Sequence, residues 1–264
     1  RMIIAGDRPF AGPAAQALDA PLDVVSIGRT DIGVDLPQLA RQNELLPAWE
    51  QELAQHRLAQ AAARDVKGVM VGDAADETHF GYHFLLDEQA IADPAAIIGR
   101  FAGVPVRAEI DADPVARLGG HYRALIEAAG GSFGSWSERV AATTWLIVNR
   151  WLPRLLWNGD VHTMAHSLEA RVPFADVDLL AVAARVPPAI GLHAGVEKCA
   201  LRQALIGLVP EPIRVRRKSA LPKDQAAQAT YQGELRRLLA DPHPLVNAVV
   251  DLPKIAPLLD RPVL

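Results

Sequence analysis

Three carboxylates crowd one short turn, Val71-Gly72-Asp73-Ala74-Ala75-Asp76-Glu77. The turn follows Val66-Lys67-Gly68-Val69-Met70-Val71, a run that reads as a strand, so the acids stand at a strand's carboxyl end. Open parallel sheets bind their ligands at that edge. Small residues at Gly72, Ala74 and Ala75 permit a phosphate or sugar to approach the backbone, and carboxylates three apart can hold Mg²⁺ against phosphate oxygens. The other reading is a solvated acidic helix start, where Asp and Glu complement the dipole. Spacing alone leaves both open.

Three further constellations carry ionisable groups. Asp160 to Asp176 mixes His162, His166, Glu169 and Arg171 with apolar Met164, Leu168, Val172 and Phe174, so its charges need partners. His162 and His166 have the i, i+4 spacing of two zinc ligands, but no Glu follows His162 and no third ligand stands out; metal is the minor reading. Lys198 and Arg202, after Gly195, can face one anion from a single helical turn, or simply begin an amphipathic helix. Arg214, Arg216, Arg217 and Lys218 form a short basic run without interleaved aromatics, which reads as a solvated or phosphate-facing loop rather than a nucleic-acid site.

The elements that must position these groups alternate early and become helical later. A helix over 11–18 precedes a strand over 22–28, and a helix over 50–64 precedes the strand at 66–71, a pattern that favours a parallel sheet. Beyond Tyr82 helical spacing dominates, across 95–101, 121–129, 140–156, 178–186 and 198–208, with loops at 102–120 and 130–134. Prolines 242, 244, 253, 257 and 262 break the tail into short helices or extended pieces.

The chain has 264 residues, half of them hydrophobic, and a formal net charge of -4. That balance gives no general attraction for nucleic acid or anionic lipid. A single cysteine, Cys199, excludes an internal disulfide framework and suits a reducing compartment, so a cytoplasmic location is expected. No signal peptide or membrane span is evident. Beginning at Arg1, the chain reads as a fragment.

In order, the segments resemble the synthetase domain of glutamine-dependent asparagine synthetases, a group to which β-lactam synthetases and lasso-peptide cyclases are related. Val71-Gly72-Asp73-Ala74-Ala75-Asp76-Glu77 with Phe80-Gly81-Tyr82 is similar to the family's Ser-Gly-Glu-Gly-(Ser/Ala)-Asp-Glu and Phe-Gly-Gly-Tyr. Met164 to Glu169, with Arg171-Val172-Pro173-Phe174 and Asp176, resembles its Met-Ala-(His)-Ser-x-Glu-x-Arg-x-Pro-Phe-x-Asp. Lys198 to Arg202, Leu208-Val209-Pro210, and Arg216 or Arg217 with Lys218 resemble its Lys-x-x-Leu-Arg, Leu-Pro and Arg-x-Lys signatures. The resemblance covers roughly Phe10 to Pro222.

It implies an α/β fold: a truncated, parallel-sheet lobe of the PP-loop ATPase type (1–90), a helical synthetase lobe (91–222) and a tail (223–264). It also implies a ligase that adenylates a carboxylate with ATP, releases pyrophosphate, and lets ammonia or an amine form the amide, as in asparagine biosynthesis. On that basis Asp73 and Lys198 are the expected catalytic residues, and Gly72, Asp76, Glu77, Lys198 and Arg202 the ATP and pyrophosphate contacts. Asp76 is the Mg²⁺ ligand, and Tyr82, Asp160, Glu169 and Arg171 form a substrate or structural network, with Glu169 and Arg171 as an internal ion pair.

The expected partners are a small carboxylate and ammonia from a glutaminase domain outside this chain, with a homodimer as an open assembly state. Asp73 is one methylene shorter than the family's glutamate, shortening its reach by about 1 Å. Val71 replaces a serine, Asp160-Val161 an Asp-Arg pair, and His79-Phe80-Gly81-Tyr82 lacks a second glycine. Neither a Ser-Gly-Gly-x-Asp-Ser loop nor an N-terminal catalytic cysteine occurs in the sequence. A β-lactam-synthetase or peptide-cyclase type of ligation, and a non-catalytic binding role, are therefore kept as alternatives.

Overall fold

The computed structural model describes residues 8–25, 31–43, 50–101, 105–218, 225–255 and 257. Their elements are α1 (Arg8–Ala17), α2 (Asp31–Asn43), α3 (Glu50–Ala62), β1 (Gly68–Met70), α4 (Ala75–Thr78), α5 (Pro94–Phe101), α6 (Pro114–Ala128) and α7 (Trp136–Leu146). A π-helical turn, Ile147–Trp151, leads into α8 (Leu152–Met164), followed by β2 (Glu169–Arg171), α9 (Val177–Ala183), α10 (Pro188–Gly191), α11 (Cys199–Ala204) and α12 (Glu211–Arg214). α13 (Gln225–Ala240), α14 (Pro244–Val249) and α15 (Leu252–Ile255) are the last elements among the described residues. Two compact units result: Arg1–Leu86 with Thr144–Pro222, and Asp87–Thr143 with Lys223–Leu264.

In the first unit β1 and β2 pair in parallel, Gly68 opposite Glu169 and Met70 opposite Arg171. The ladder continues past β1 on both sides, from the Glu169 amide to the Lys67 carbonyl and from the Val71 amide to the Arg171 carbonyl, each at 2.9 Å. Each strand is preceded by a helix, α3 before β1 and α8 before β2, and these helices pack on each other with α2 against both. Small side chains allow that approach. Ala59 and Ala62 of α3 enclose Leu168, with Ala63 and Val69 beside them. Burying a leucine of this kind contributes about 2 kcal/mol.

Among the described residues the parallel sheet has two strands. Residues 22–25 of the expected strand at 22–28 form no strand, and 26–28 lie outside the described residues. The strand that pairs with β1 is Glu169–Arg171, which the sequence assigned to a polar network. A PP-loop lobe is not established by two strands.

The second unit is built on α5 and α6. A Cβ on Gly119 would stand 2.5 Å from that of Ala95, so glycine lets the two helices cross closely. Ile91, Ile97, Ile126 and Val140 are buried in this unit. Asp113 caps α6 by accepting from the Ala116 amide at 2.9 Å, with Pro114 at the first helical position. The loop expected at 102–120 therefore gives way to helix at Pro114. The tail holds a 16-residue helix, Gln225–Ala240, longer than the short pieces expected, before the prolines break it. Among the described residues no single helix is long and apolar enough to cross a bilayer.

Candidate functional site

β1 delivers the chain to Gly72, where space around the Cα is open. Ala74, fully buried, adopts φ 71° to start α4, and Phe80 and Lys198 adopt φ 57° and 55° close by in the same unit. Left-handed backbone at non-glycine residues costs about 1–2 kcal/mol each, and such positions gather at ligand sites. Here they aim side chains. Lys198, whose amide donates to the Phe80 carbonyl at 3.4 Å, sends its Nζ to within 2.6 Å of Asp76 Oδ1. Lys218 donates from its Nζ to Asp76 Oδ2, also at 2.6 Å. One partly buried carboxylate therefore holds two ammonium groups together.

Glu197 places both lysines. Its Oε1 accepts from the Lys218 amide at 2.7 Å and from Arg202 Nη2 at 2.5 Å, and Lys198 is the next residue. Arg202 also donates to the carbonyls of Glu197 at 2.8 Å and Arg214 at 2.5 Å. Burial pushes the Glu197 carboxyl up, but hydrogen bonds from the Lys218 amide and its own, with the Arg202 guanidinium, carry the net shift down.

Gly81 closes the turn, its amide donating to the Asp76 carbonyl at 2.8 Å. A Cβ there would overlap Asp76 Oδ1 and stand 2.6 Å from both Asp76 Cα and Lys198 Cε. Gly81→Ala is expected to destabilise the protein by about 1–3 kcal/mol and to displace the Asp76 and Lys198 pair. Thermal unfolding checks this, and an unchanged midpoint contradicts it.

The other acids differ in setting. Burial alone pushes the Asp73 carboxyl up, and Asp73 Oδ2 lies 3.4 Å from where a Cβ on Gly159 would be. Glu77 is raised by burial first, with the adjacent acids adding and its bond from the Tyr82 hydroxyl opposing. Tyr82 is raised as well, by burial and then by Glu77. Its ring stacks on Trp151 at 5.5 Å and on Phe84 at 5.3 Å. His79 is lowered, by burial and then by Lys198, and its Nδ1 lies 2.7 Å from Thr78 Oγ1.

The structure thus brings Asp73, Asp76, Glu77, Tyr82 and Lys198 into one neighbourhood and leaves others outside it. Arg202 does not share an anion with Lys198: its amide closes the first turn of α11 on the Lys198 carbonyl at 2.8 Å, but Lys198 is the left-handed N-cap and its side chain goes to Asp76 while Arg202 pairs with Glu197. Glu169 and Arg171 do pair, at 3.0 Å, but on the open face of β2, with side chains 63% and 68% exposed. That is a surface pair, worth about 0–1 kcal/mol, not an internal one. Asp160 is exposed on α8. The basic run disperses: Arg214 binds Glu211, Arg216 lies over the Phe10 ring at 4.7 Å, and Lys218 joins the site.

Glu197 was not singled out in the sequence, although a glutamate directly before the candidate lysine was its signal. Lys218 stood there only as one cation of a run. Trp151 carried no signal of its own.

A family model described as Asparagine synthase matches residues 5–263. The chain belongs to the asparagine synthase family. Similarity to individual members is local. Asparagine synthetase [glutamine-hydrolyzing] 3 of Bacillus subtilis (strain 168) is 38% identical over 86 residues, 33% of this chain and 13% of that protein. Asparagine synthetase [glutamine-hydrolyzing] 1 of the same strain is 41% identical over 68 residues, 26% of this chain and 11% of that protein. A putative asparagine synthetase [glutamine-hydrolyzing] of Mycobacterium bovis is 43% identical over 68 residues, 26% of this chain and 10% of that protein.

For an asparagine synthase domain the expected metal ligand is Asp76. Both its oxygens are held by lysine ammonium groups, and among the described residues no three His, Cys, Asp or Glu side chains converge on a metal position. The residues as arranged do not fit a divalent cation.

Proposed function

We propose that this asparagine synthase domain is an ATP-dependent amide-forming ligase, and the observation that carries the reading is the pairing of Lys198 and Lys218 on Asp76. A carboxylate oxygen of the substrate attacks the α-phosphorus of ATP, the bond to the β-phosphate bridging oxygen breaks, and pyrophosphate leaves with that electron pair. An amine or ammonia then attacks the acyl carbon, loses a proton, and expels AMP. Both steps build negative charge on phosphate or acyl oxygen. Ammonium groups already positioned stabilise such charge without reorganisation. Asp76 holds them apart from competing anions until ATP arrives, when they can exchange one anionic partner for another.

Asp73 is assigned the proton from the attacking nitrogen. Its carboxyl is raised by burial, which makes it a better base than an exposed aspartate once ionised. Its short reach favours a nitrogen carried on a larger amine, a β-lactam-synthetase or peptide-cyclase type of reaction, over free ammonia. A PP-loop type of lobe, and ammonia supplied by a glutaminase domain, go with the alternative in which free ammonia is the nucleophile.

The test is pyrophosphate release from ATP by the protein in the presence of a panel of carboxylic acids. One acid is expected to stimulate release, and Asp73→Asn is expected to leave that step while lowering amide formation about 10²-fold. Asp73→Asn should also unfold at a slightly higher temperature. Because the folded carboxyl lies above its ordinary value, its ionisation opposes folding as pH rises past 3.8. If no acid stimulates release, or if release proceeds equally without Lys198, the ligase reading fails.

A further inference from the structure

α9 (Val177–Ala183), in the first unit, leaves one side bare. Asp176 caps it, its Oδ1 accepting from the Asp178 amide at 3.0 Å and the Leu179 amide at 3.2 Å. At the other end the Ala184 amide donates to the Leu180 carbonyl at 2.9 Å, and the Arg185 amide closes a tighter last turn on the Val182 carbonyl at 3.1 Å. Leu179, Leu180 and Val186 are half-buried and Ala183 is buried, which fixes the inward side. Two outward rows follow at helical spacing: Val177, Ala181 and Ala184, and Asp178, Val182 and Arg185, all exposed. Val177 is 75% and Val182 60% exposed.

Valines left in water gain free energy when something covers them. The charges on this face say what that cover is. Asp178 stands near its start and Arg185 at its end, about 10 Å apart along the axis. Neither side chain has a hydrogen bond or ion pair within the chain among the described residues. No charged residue lies between them in the sequence. The face is therefore apolar in the middle and opposite in sign at its two ends, which makes it complementary to itself turned end for end.

We propose that this face of α9 is an isologous contact between two copies of the chain, the helices running antiparallel about a two-fold axis between Ala181 and Val182. Asp178 of each copy then meets Arg185 of the other, Ala181 meets Val182, and Val177 meets Val186. Asp176 meets Pro187, so no like charges are brought together. Alanine at 181 and 184 leaves room for the axes to approach to about 8 Å. One short helix from each copy buries less than the roughly 1,600 Å² of a standard interface, so association is expected at about 10–100 µM. This inference does not depend on the ligase reading.

Sedimentation equilibrium of the full chain over about 5–300 µM tests it, a range that brackets the expected association. The wild type is expected to dimerise. Asp178→Arg sets arginine against arginine twice about the axis and should weaken association about 10-fold, and Val182→Glu should do so at least as strongly. Combining Asp178→Arg with Arg185→Asp exchanges the charges and re-forms both pairs, so association should return to within about three-fold of wild type. These positions are exposed, so circular dichroism should show every variant folded. A wild type that stays monomeric throughout overturns the contact and leaves the face to a different partner. A dimer indifferent to Val182→Glu, or a charge exchange that restores nothing, overturns it as well.

Discussion

Replacing Lys198 with methionine is expected to lower carboxylate-dependent pyrophosphate release about 10²–10³-fold while the protein remains folded, as removal of one preorganised charge donor does in other active sites. Methionine keeps the unbranched stem of lysine and removes its charge. Asp76 would retain Lys218 at Oδ2, so the carboxylate is not left bare and stability should change little. The reason for the large kinetic effect is placement. Left-handed backbone at residue 198 and the neighbouring Glu197 fix where the ammonium group stands, and water cannot replace a charge so held. Lys218→Met is expected to be the milder variant, because its ammonium group is the more exposed of the two. A pyrophosphate assay with circular dichroism on the same samples separates chemistry from folding. A loss of less than about five-fold in Lys198→Met would remove Lys198 from the catalytic role.

The second large effect is on stability. Glu197→Ala is expected to destabilise the protein by about 3–5 kcal/mol, the range for breaking a buried ion pair from one side. Arg202 would keep its bonds to backbone carbonyls but lose its counter-charge, and the Lys218 amide would lose its acceptor. For a chain of this size the unfolding midpoint should fall by on the order of 10 °C. Glu197→Gln keeps an acceptor oxygen and should lose clearly less. The native contribution is itself pH-dependent. Because the folded Glu197 carboxyl lies below its ordinary value, its stabilisation is present above pH 4.5 and is lost as pH falls through the lowered value. Thermal unfolding of wild type and both variants at neutral pH checks the order, and equal midpoints for Glu197→Ala and wild type would show that Glu197 anchors nothing.

The same residue connects stability to the proposed chemistry. Asp76 is a carboxylate flanked by lysines from two distant parts of the chain, and Glu197 is what makes those parts meet. Destabilising this node should therefore impair activity at temperatures well below global unfolding. Local opening of such a node requires fewer contacts to break than unfolding of a core helix.

Local chemistry determined much of what is seen. Period-3.6 apolar spacing marked α5, α6 and α8, because helices must present one face to a core whatever the fold around them. The β-branched run ending at Val71 marked β1, and three acids after a strand marked the turn. The ordered motifs marked the asparagine synthase family.

What the tertiary structure alone decided involves partners far apart in sequence. Glu169-Ala170-Arg171 has no strand-like composition; it is β2 because the backbone of Lys67 to Val71 offers it a ladder. Leu22 to Val25 has that composition but finds no such ladder among the described residues. Lys218 serves Asp76 across 142 positions, and Asn158 serves Glu52 across 106. No local propensity records such pairings. A charge in a sequence states only that a partner is needed, and burial between packed helices settles which one it gets.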